Sequence, residues 1–471
     1  MKELYIKGPS IYHCPLSLLL DLLPALTHLT FKLKGDPDAE YPRDVIYMNE
    51  VMIQTHHPNK NYYNLVFLCL DSEILCHCQV LELVKCCPRL TYLMGSFNVV
   101  YEYGSIDVLP VADILKQCPS IRYINWGEEP LPSKMEKKWL TLSRRAERKD
   151  NDKGNNNNYG EREASHLRQV GFCSTEPLDH VSTLKASFQN PSMLEHLHLS
   201  GITHSDLCYV WNTFTQQNGN LLSQPPQLKT LELVDFCVIF PPGNDLFFEG
   251  LFEYFQHVEQ LKLHLVVGSN VSFEEERDNM LNLVQVIAHQ LHKLRHLDIG
   301  FAYRANQETT MTRGGNLFTT LCDWDQKLEI LHLTNAFISN EMLLDLCHHP
   351  NLHTLNLSGG HLHKHLTEDG LLLFARKLRE QEQSGCGRIQ SIMLSCGYCD
   401  DVTDEVLEGL AGVQSLKKLR IEYNKTITDA GINKFASILS SSNNNHNKVE
   451  LYDCNNVSLG NPHVVFVTSP F

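Results

Sequence analysis

LEILHL at residues 328–333 returns as LHTLNL at 352–357, IQSIML at 389–394 and LKKLRI at 416–421. Each copy places apolar residues first, fourth and sixth. The last two alternate with other residue types, which is the period of a strand with one buried face. Outward from this stretch the same frame reads LEHLHL (194–199), LKTLEL (228–233), VEQLKL (258–263) and LRHLDI (294–299). From Leu194 the frames are spaced by 34, 30, 36, 34, 24, 37 and 27 residues. Towards the N-terminus stand Leu26/Leu29/Phe31, Leu65/Leu68/Leu70, Leu90/Leu93 and Ile121/Ile124/Trp126. Leu4 and Ile6 read as a partial first copy, Val449 and Leu451 as a last one.

Between frames the apolar spacing turns helical, as in Leu343, Leu344, Leu346 and Cys347 or Leu371, Leu372, Phe374, Ala375 and Leu378. Helices open at Ser339, Thr367, Thr403 and Thr428, whose hydroxyls suit a helix N-cap. Pro24, Pro88, Pro119 and Pro350 stop helices just before the next frame, because proline forces its predecessor out of the helical region. One strand–helix unit cannot bury its own apolar face, whereas stacked neighbours can. The fold class expected is therefore α/β: a leucine-rich-repeat solenoid, or horseshoe, with a parallel β-sheet on the concave face and helices on the convex face. The domain organisation expected is N-terminal repeats over 1–129, an insertion over 130–192, and C-terminal repeats with a terminal cap over 193–471, all in one continuous solenoid. A generic α/β protein is the weaker alternative, since its parallel strands would be near-continuous apolar runs.

The chain has 471 residues, 42% of them hydrophobic and 20% charged, ordinary values for a folded protein but too long for one compact core. Its net charge of −15 disfavours nucleic acid, which demands a basic surface. Pro15–Leu26 is the nearest approach to a signal or membrane segment, and Asp21 and Pro24 break it. The 16 cysteines are then expected as free thiols in a reducing compartment, cytoplasmic or nuclear, with Cys86, Cys118 and Cys347 in small apolar sites.

The insertion is charged and Asn-rich from Ser133 to Gln169, with four asparagines at 155–158. It has too little apolar surface to offset its ordering entropy, so it is expected to be largely disordered. Lys137, Lys138, Arg144, Arg145, Arg148 and Lys149 mark either a solvated basic helix or an import or partner signal. Ser440–Asn447 reads as a polar loop before the last strand.

Two segments carry a resemblance to a known family. Ile392–Asp404 (IMLSCGYCDDVTD) and Leu419–Ile432 (LRIEYNKTITDAGI) resemble the cysteine-containing repeats of F-box/leucine-rich-repeat proteins, in which the strand leads into Asn or Cys and then an Ile-Thr-Asp helix start. The junctions at Cys87–Leu93 and Cys118–Ile124 fit the same family. The resemblance implies the substrate-recognition part of an SCF-type ubiquitin-ligase receptor. No F-box is visible: the chain opens inside a repeat, so that motif lies upstream or is not part of the protein. The alternative role is a non-ligase scaffold or inhibitor. A ligase adaptor is an expected partner only if an F-box exists upstream.

No P-loop, His-Glu-x-x-His, Gly-x-Ser-x-Gly or paired Cys-x-x-Cys set occurs, so neither catalysis nor a cofactor is expected. His361, His363 and His365 with Cys396 and Cys399 offer a zinc-like donor set, but without a finger spacing, so no metal is expected either. The strand frame does define a surface. Residues flanking the middle apolar position point away from the core and form rows across strands. One row is His198, Glu232, Lys262, Asp298, His332 and Asn356; its neighbour runs His196, Thr230, Gln260, His296, Ile330 and Thr354. Of these, His196, His198, Glu232, Lys262, His296, Asp298, His332 and Asn356 are the candidate protein-binding residues, on a histidine-rich face able to respond to mild acid. The competing reading is a self-paired, solvated ladder of little consequence. The partner expected is a protein on this face, with neither nucleic acid nor membrane involved.

Overall fold

The structure is a computed structural model; it describes residues 1–8, 16–33, 63–72, 77–96, 111–127, 141, 167–173, 177–188, 193–217, 226–238, 245–267, 283–303, 327–335, 339–358, 366–385, 388–395, 401–441, 448–452, 454, 457 and 464–466. The chain forms two compact units, Met1–Thr230 and Leu231–Phe471.

The first unit runs β1 (Glu3–Gly8), α1 (Leu16–Leu22), β2 (His28–Leu33), β3 (Phe67–Ser72), α2 (His77–Lys85), β4 (Tyr92–Ser96), α3 (Val111–Gln117), β5 (Tyr123–Gly127), β6 (Gln169–Cys173), α4 (Pro177–Ser187), β7 (His196–Ser200) and α5 (His204–Gln217). Strands β1 to β7 pair in chain order and all in parallel. Helices α2, α3, α4 and α5 pack each on the next.

The second unit holds β8 (Thr230–Val238, all but its first residue), α6 (Asp245–Tyr254), β9 (Gln260–Val267), a helical stretch at 283–290, β10 (His296–Tyr303), β11 (Ile330–Thr334) and α7 (Asn340–Cys347). Then come β12 (Thr354–Ser358), α8 (Glu368–Gln383), β13 (Ser391–Ser395), α9 (Asp404–Ala411), β14 (Lys418–Glu422), α10 (Asp429–Ser441), β15 (Lys448–Tyr452) and β16 (Val464–Phe466). Strands β9 to β16 are again parallel and in chain order. This is the leucine-rich-repeat architecture: strand, turn and helix repeated along the chain.

Register follows the frame. Leu331 faces Leu355, Leu333 faces Leu357, and Ile392 and Leu394 face Leu419 and Ile421. These columns are 0–3% exposed and form the inner core. A one-residue slip would turn them all to the other face, so burial fixes the register. The irregular copies obey the same packing. β4 has Gly95 at its third frame position because Trp126, its register neighbour, fills that space: a Cβ on Gly95 would lie 2.6 Å from the indole Cη2.

Successive helix starts are bolted together. Thr367, Thr403 and Thr428 cap α8, α9 and α10 by accepting from the amides of Gly370, Val406 and Gly431. The residue after each cap position then reaches the next cap. Asn340 exchanges two hydrogen bonds with Thr367 (Oδ1 from N, 3.1 Å; Nδ2 to Oγ1, 2.9 Å). Glu368 accepts from the Thr403 hydroxyl, and Asp404 accepts from Thr428 N at 2.8 Å and Oγ1 at 2.6 Å. Another buried network sits after β14, where Asn424, 0% exposed, donates to Val402 O (3.0 Å) and accepts from Thr426 N (2.9 Å) and Ile427 N (2.7 Å). Tyr423, at φ 60°, makes the left-handed turn that swings this asparagine inward.

The insertion expected over 130–192 is shorter than its sequence suggested. Leu167, Val170 and Phe172 make a further frame, each 1% exposed, and α4 follows it. Arg168, Gln169 and Gly171 fill the intervening positions, which hid the frame behind a polar stretch. The basic cluster at Lys137–Lys149 lies outside the described residues. Likewise α10 extends into the expected loop as far as Ser441, and β16 adds a strand after the expected last one. The described cysteines are free thiols; Cys87 is the buried member of its pair, Cys86 only half-buried.

Candidate functional site

Five of the eight candidate residues come together on β9–β12 of the second unit. Lys262, Asp298, His332 and Asn356 are consecutive register partners, and His296 lies between Gln260 and Ile330 in the adjoining row. All are partly exposed, on the face opposite the leucine columns. Glu232, on β8, contributes its negative field at His296. His196 and His198 belong to the first unit, on β7, beside Gln169 and Gly171.

The cluster has a definite internal geometry. The rings of His296 and His332 meet edge to face with centroids 5.0 Å apart. Burial lowers the basicity of His296, helped by the charge His332 would carry and opposed by Asp298 and Glu232. His332 is lowered in the same way by burial, against the pull of Asp298. Burial alone would raise Asp298, but the hydrogen bond and charge of His264, with Lys262, outweigh it and hold the carboxyl below the usual carboxylate range. Both imidazoles are therefore neutral at neutral pH and the carboxylate is ionised.

His264 is a site residue that the six-residue frame does not reveal. It lies two positions past Lys262 on the same face, because β9 runs on to Val267, and its Nε2 stands 3.4 Å from Asp298 Oδ1. Its register partner is Gly300, where a Cβ would come 2.9 Å from the imidazole Cδ2, so glycine here makes room for the ring. The signal available in sequence was the alternation continuing through Leu265.

The row is not a self-paired ladder at its centre. Lys262 makes no ion pair with Asp298 within 4.0 Å, and the hydrogen bond that the carboxylate accepts from His264 Nε2 is long, at 3.4 Å. Asn356 Oδ1 is buried without a hydrogen-bond partner among the described residues. Strands β13–β15 differ: Arg420 Nε donates to Glu422 at 2.6 Å, and Lys418 pairs with Glu450 at 3.1 Å.

The corresponding face of the first unit is closed over β2–β4. His28, Phe67, Tyr92 and Tyr123 form a ladder of ring contacts, ending in a stacked tyrosine pair with centroids 4.5 Å apart. Phe67, Cys69 and Met94 are 0% exposed although they alternate with the inner leucines. The expectation that flanking positions are open fails here for a readable reason: FLCL at 67–70 is a continuous apolar run, the mark of a strand buried on both faces.

The zinc-like set His361, His363, His365, Cys396 and Cys399 lies outside the described residues. Among the described residues no group of three or more His, Cys, Asp or Glu side chains is placed to hold a metal ion. Nor is any described helix long and apolar enough to cross a membrane.

No family model matches the chain, and no curated protein matches it in sequence. Among solved structures it is similar to the complex of Rad7 and Elc1 from yeast, with a TM-score of 0.45 and 15% identity, covering 95% of this chain and 90% of that chain.

Proposed function

We propose that this chain is a non-enzymatic protein-interaction solenoid whose working surface is the outer sheet face of β8–β12. The observation that carries the reading is the half-exposed row Lys262–Asp298–His332–Asn356, whose central carboxylate makes no ion pair within 4.0 Å with the neighbouring lysine. Exposed ion pairs contribute little to stability; a face that holds an ionised carboxylate with one long hydrogen bond is suited to a partner's donor. The finer role is substrate recognition within an SCF-type ubiquitin-ligase receptor, in the cytoplasm or nucleus. It is supported by the resemblance of Ile392–Asp404 and Leu419–Ile432 to cysteine-containing repeats. The second reading, a scaffold or inhibitor without ligase function, uses the same face. Quantitative affinity purification from cells, comparing the natural chain with Lys262→Ala/Asp298→Ala, tests both levels. Loss of specific partners from the folded double variant supports the face, and recovery of a cullin and its adaptor with both chains supports the ligase role. Unchanged partner recovery overturns the face, and absence of adaptor and cullin overturns the ligase role.

A further inference from the structure

We propose that His349 is an acid-operated latch on α7: neutral, it seats the last turn of the helix in the core of its repeat; protonated, it releases that turn and uncovers Cys347. The device lies at the helix end of the repeat and is independent of what the outer sheet face binds.

The seat is a slot that recurs along the chain. His349 stands three residues before Leu352, the first apolar residue of its frame. The same position holds Cys87, Cys118, Phe255, Leu291 and Val413 in other repeats, all 0–3% exposed. Aliphatic, aromatic and thiol side chains suit such a slot because it offers packing and little polar contact. His349 enters it too, at 7% exposure, and neither ring nitrogen has a hydrogen-bond partner among the described residues. A neutral imidazole tolerates that at modest cost, whereas an imidazolium would put an unpaired charge in the core. Burial is the only cause that lowers the basicity of His349 below the ordinary value. The titratable groups around the junction are Asp345 and Cys347 on α7, His348 next in sequence, Lys377 on the packed helix α8, and Glu329, His353 and Arg388 just before β11, β12 and β13. None of them shifts His349, so no carboxylate is placed to offset a charge on the ring.

The backbone lets the release stay local. The turn ends on a 3.3 Å bond from His349 N to Leu346 O, and Pro350 has no N–H to extend it. β12 is anchored separately, through His353 N and Thr354 N on Glu329 O at 2.9 and 3.2 Å. The helix end can therefore lift without unpairing the sheet, which is the form of a sub-global opening. Cys347, 5% exposed on the same turn, reports it.

The test follows the reaction of each thiol of the full chain with dithiodipyridine, which attacks thiols in mild acid as well as at neutral pH, read cysteine by cysteine by mass spectrometry. Each rate is divided by that of the same cysteine in the urea-unfolded chain at the same pH, which removes the reagent's own pH dependence. Release returns the imidazole to its ordinary value of 6.5. One proton linked to opening then raises the normalised Cys347 rate about tenfold between about pH 7.5 and about pH 5.5. Cys118, a thiol in the equivalent slot, is expected to stay protected. His349→Leu and His349→Val, which install the side chains found at Leu291 and Val413, are expected to leave Cys347 protected at both pH values; circular dichroism and cooperative urea unfolding select whichever variant is folded. A Cys347 rate that stays flat in the natural chain overturns the latch, as does an equal rise in a folded variant. A parallel rise at Cys118 overturns it too, because the loosening would then be general.

Discussion

Gly431→Ala is a one-atom-group change that tests whether adjacent repeats are joined through their helix starts. In a free helix, alanine is favoured over glycine by about 1 kcal/mol. At Gly431 the added Cβ would fall inside the carboxyl group of Asp404, which is held in place by its bonds to Thr428 N and Oγ1. Asp404 must swing away and release both. A hydrogen bond to a charged group contributes about 1.5–3 kcal/mol; Thr428 is only partly buried and regains water, so the pair together is worth about 3 kcal/mol. Less the propensity gain, the net loss is about 2 kcal/mol. Gly250, in α6, is the control, because a Cβ there meets nothing within 4 Å. Gly250→Ala is expected to stabilise by up to about 1 kcal/mol. In an Asp404→Ala background, Gly431→Ala should lose its penalty and behave like Gly250→Ala, a non-additivity expected only of residues in contact. Urea unfolding, with hydrogen exchange of α10 read alongside, measures the natural chain and the four variants. Stabilisation by Gly431→Ala in the natural background, or additivity with Asp404→Ala, would refute the ladder.

Asn424→Ala should cost about 3–5 kcal/mol, since it leaves Val402 O and two amides without their buried partner; a loss under about 1 kcal/mol in urea unfolding would contradict the network. Gly95→Leu should cost about 3 kcal/mol by forcing the introduced side chain into the Trp126 ring, and adding Trp126→Leu should recover much of it by restoring the ordinary frame; thermal melts of both variants check this. Acid should destabilise the second unit. His296, His332 and His349 all have basicity lowered by burial below the ordinary value of 6.5. The folded state then binds fewer protons than the unfolded chain, so stability is complete above about pH 6.5 and is lost as pH falls through the lowered folded values. His349 is 7% exposed with both ring nitrogens lacking a hydrogen-bond partner among the described residues. His349→Leu should raise stability by about 1–2 kcal/mol and flatten the melting temperature against pH between about pH 6.5 and about pH 5; an unchanged slope would show that His349 does not carry it.

Much of the fold was legible because one physical constraint repeats. Leu331, Leu355, Ile392 and Leu419 occupy equivalent positions since each must fill the same slot in the same inner column, and the frame exposes that demand directly. The frame failed where packing is met by an exchange between neighbours. Gly95 is apolar space lent to Trp126, and no count of leucines finds it. Leu167, Val170 and Phe172 obey the frame but follow a long polar stretch, where composition outweighs three spaced residues. The site was legible in part. Alternation placed Lys262, Asp298, His332 and Asn356 in one row, because parallel register follows the buried columns. His264 escaped because strand length is set by pairing with β10, which the frame does not encode. That Lys262 makes no ion pair with Asp298 depends on side-chain reach, which alternation does not specify, while the closed outer face over β2–β4 was signalled only by the apolar run at 67–70.

On the proposed function, partners meet the outer sheet face of the second unit rather than its helices. Photocrosslinking residues placed singly at Gln260, His332 and Met393 on the sheet, and at Arg376 and Glu408 on helices α8 and α9, test it in living cells. The same specific protein adducts are expected from the sheet positions and none of them from the helix positions. Adducts to those proteins from Arg376 or Glu408, with none from Gln260, His332 or Met393, would contradict it.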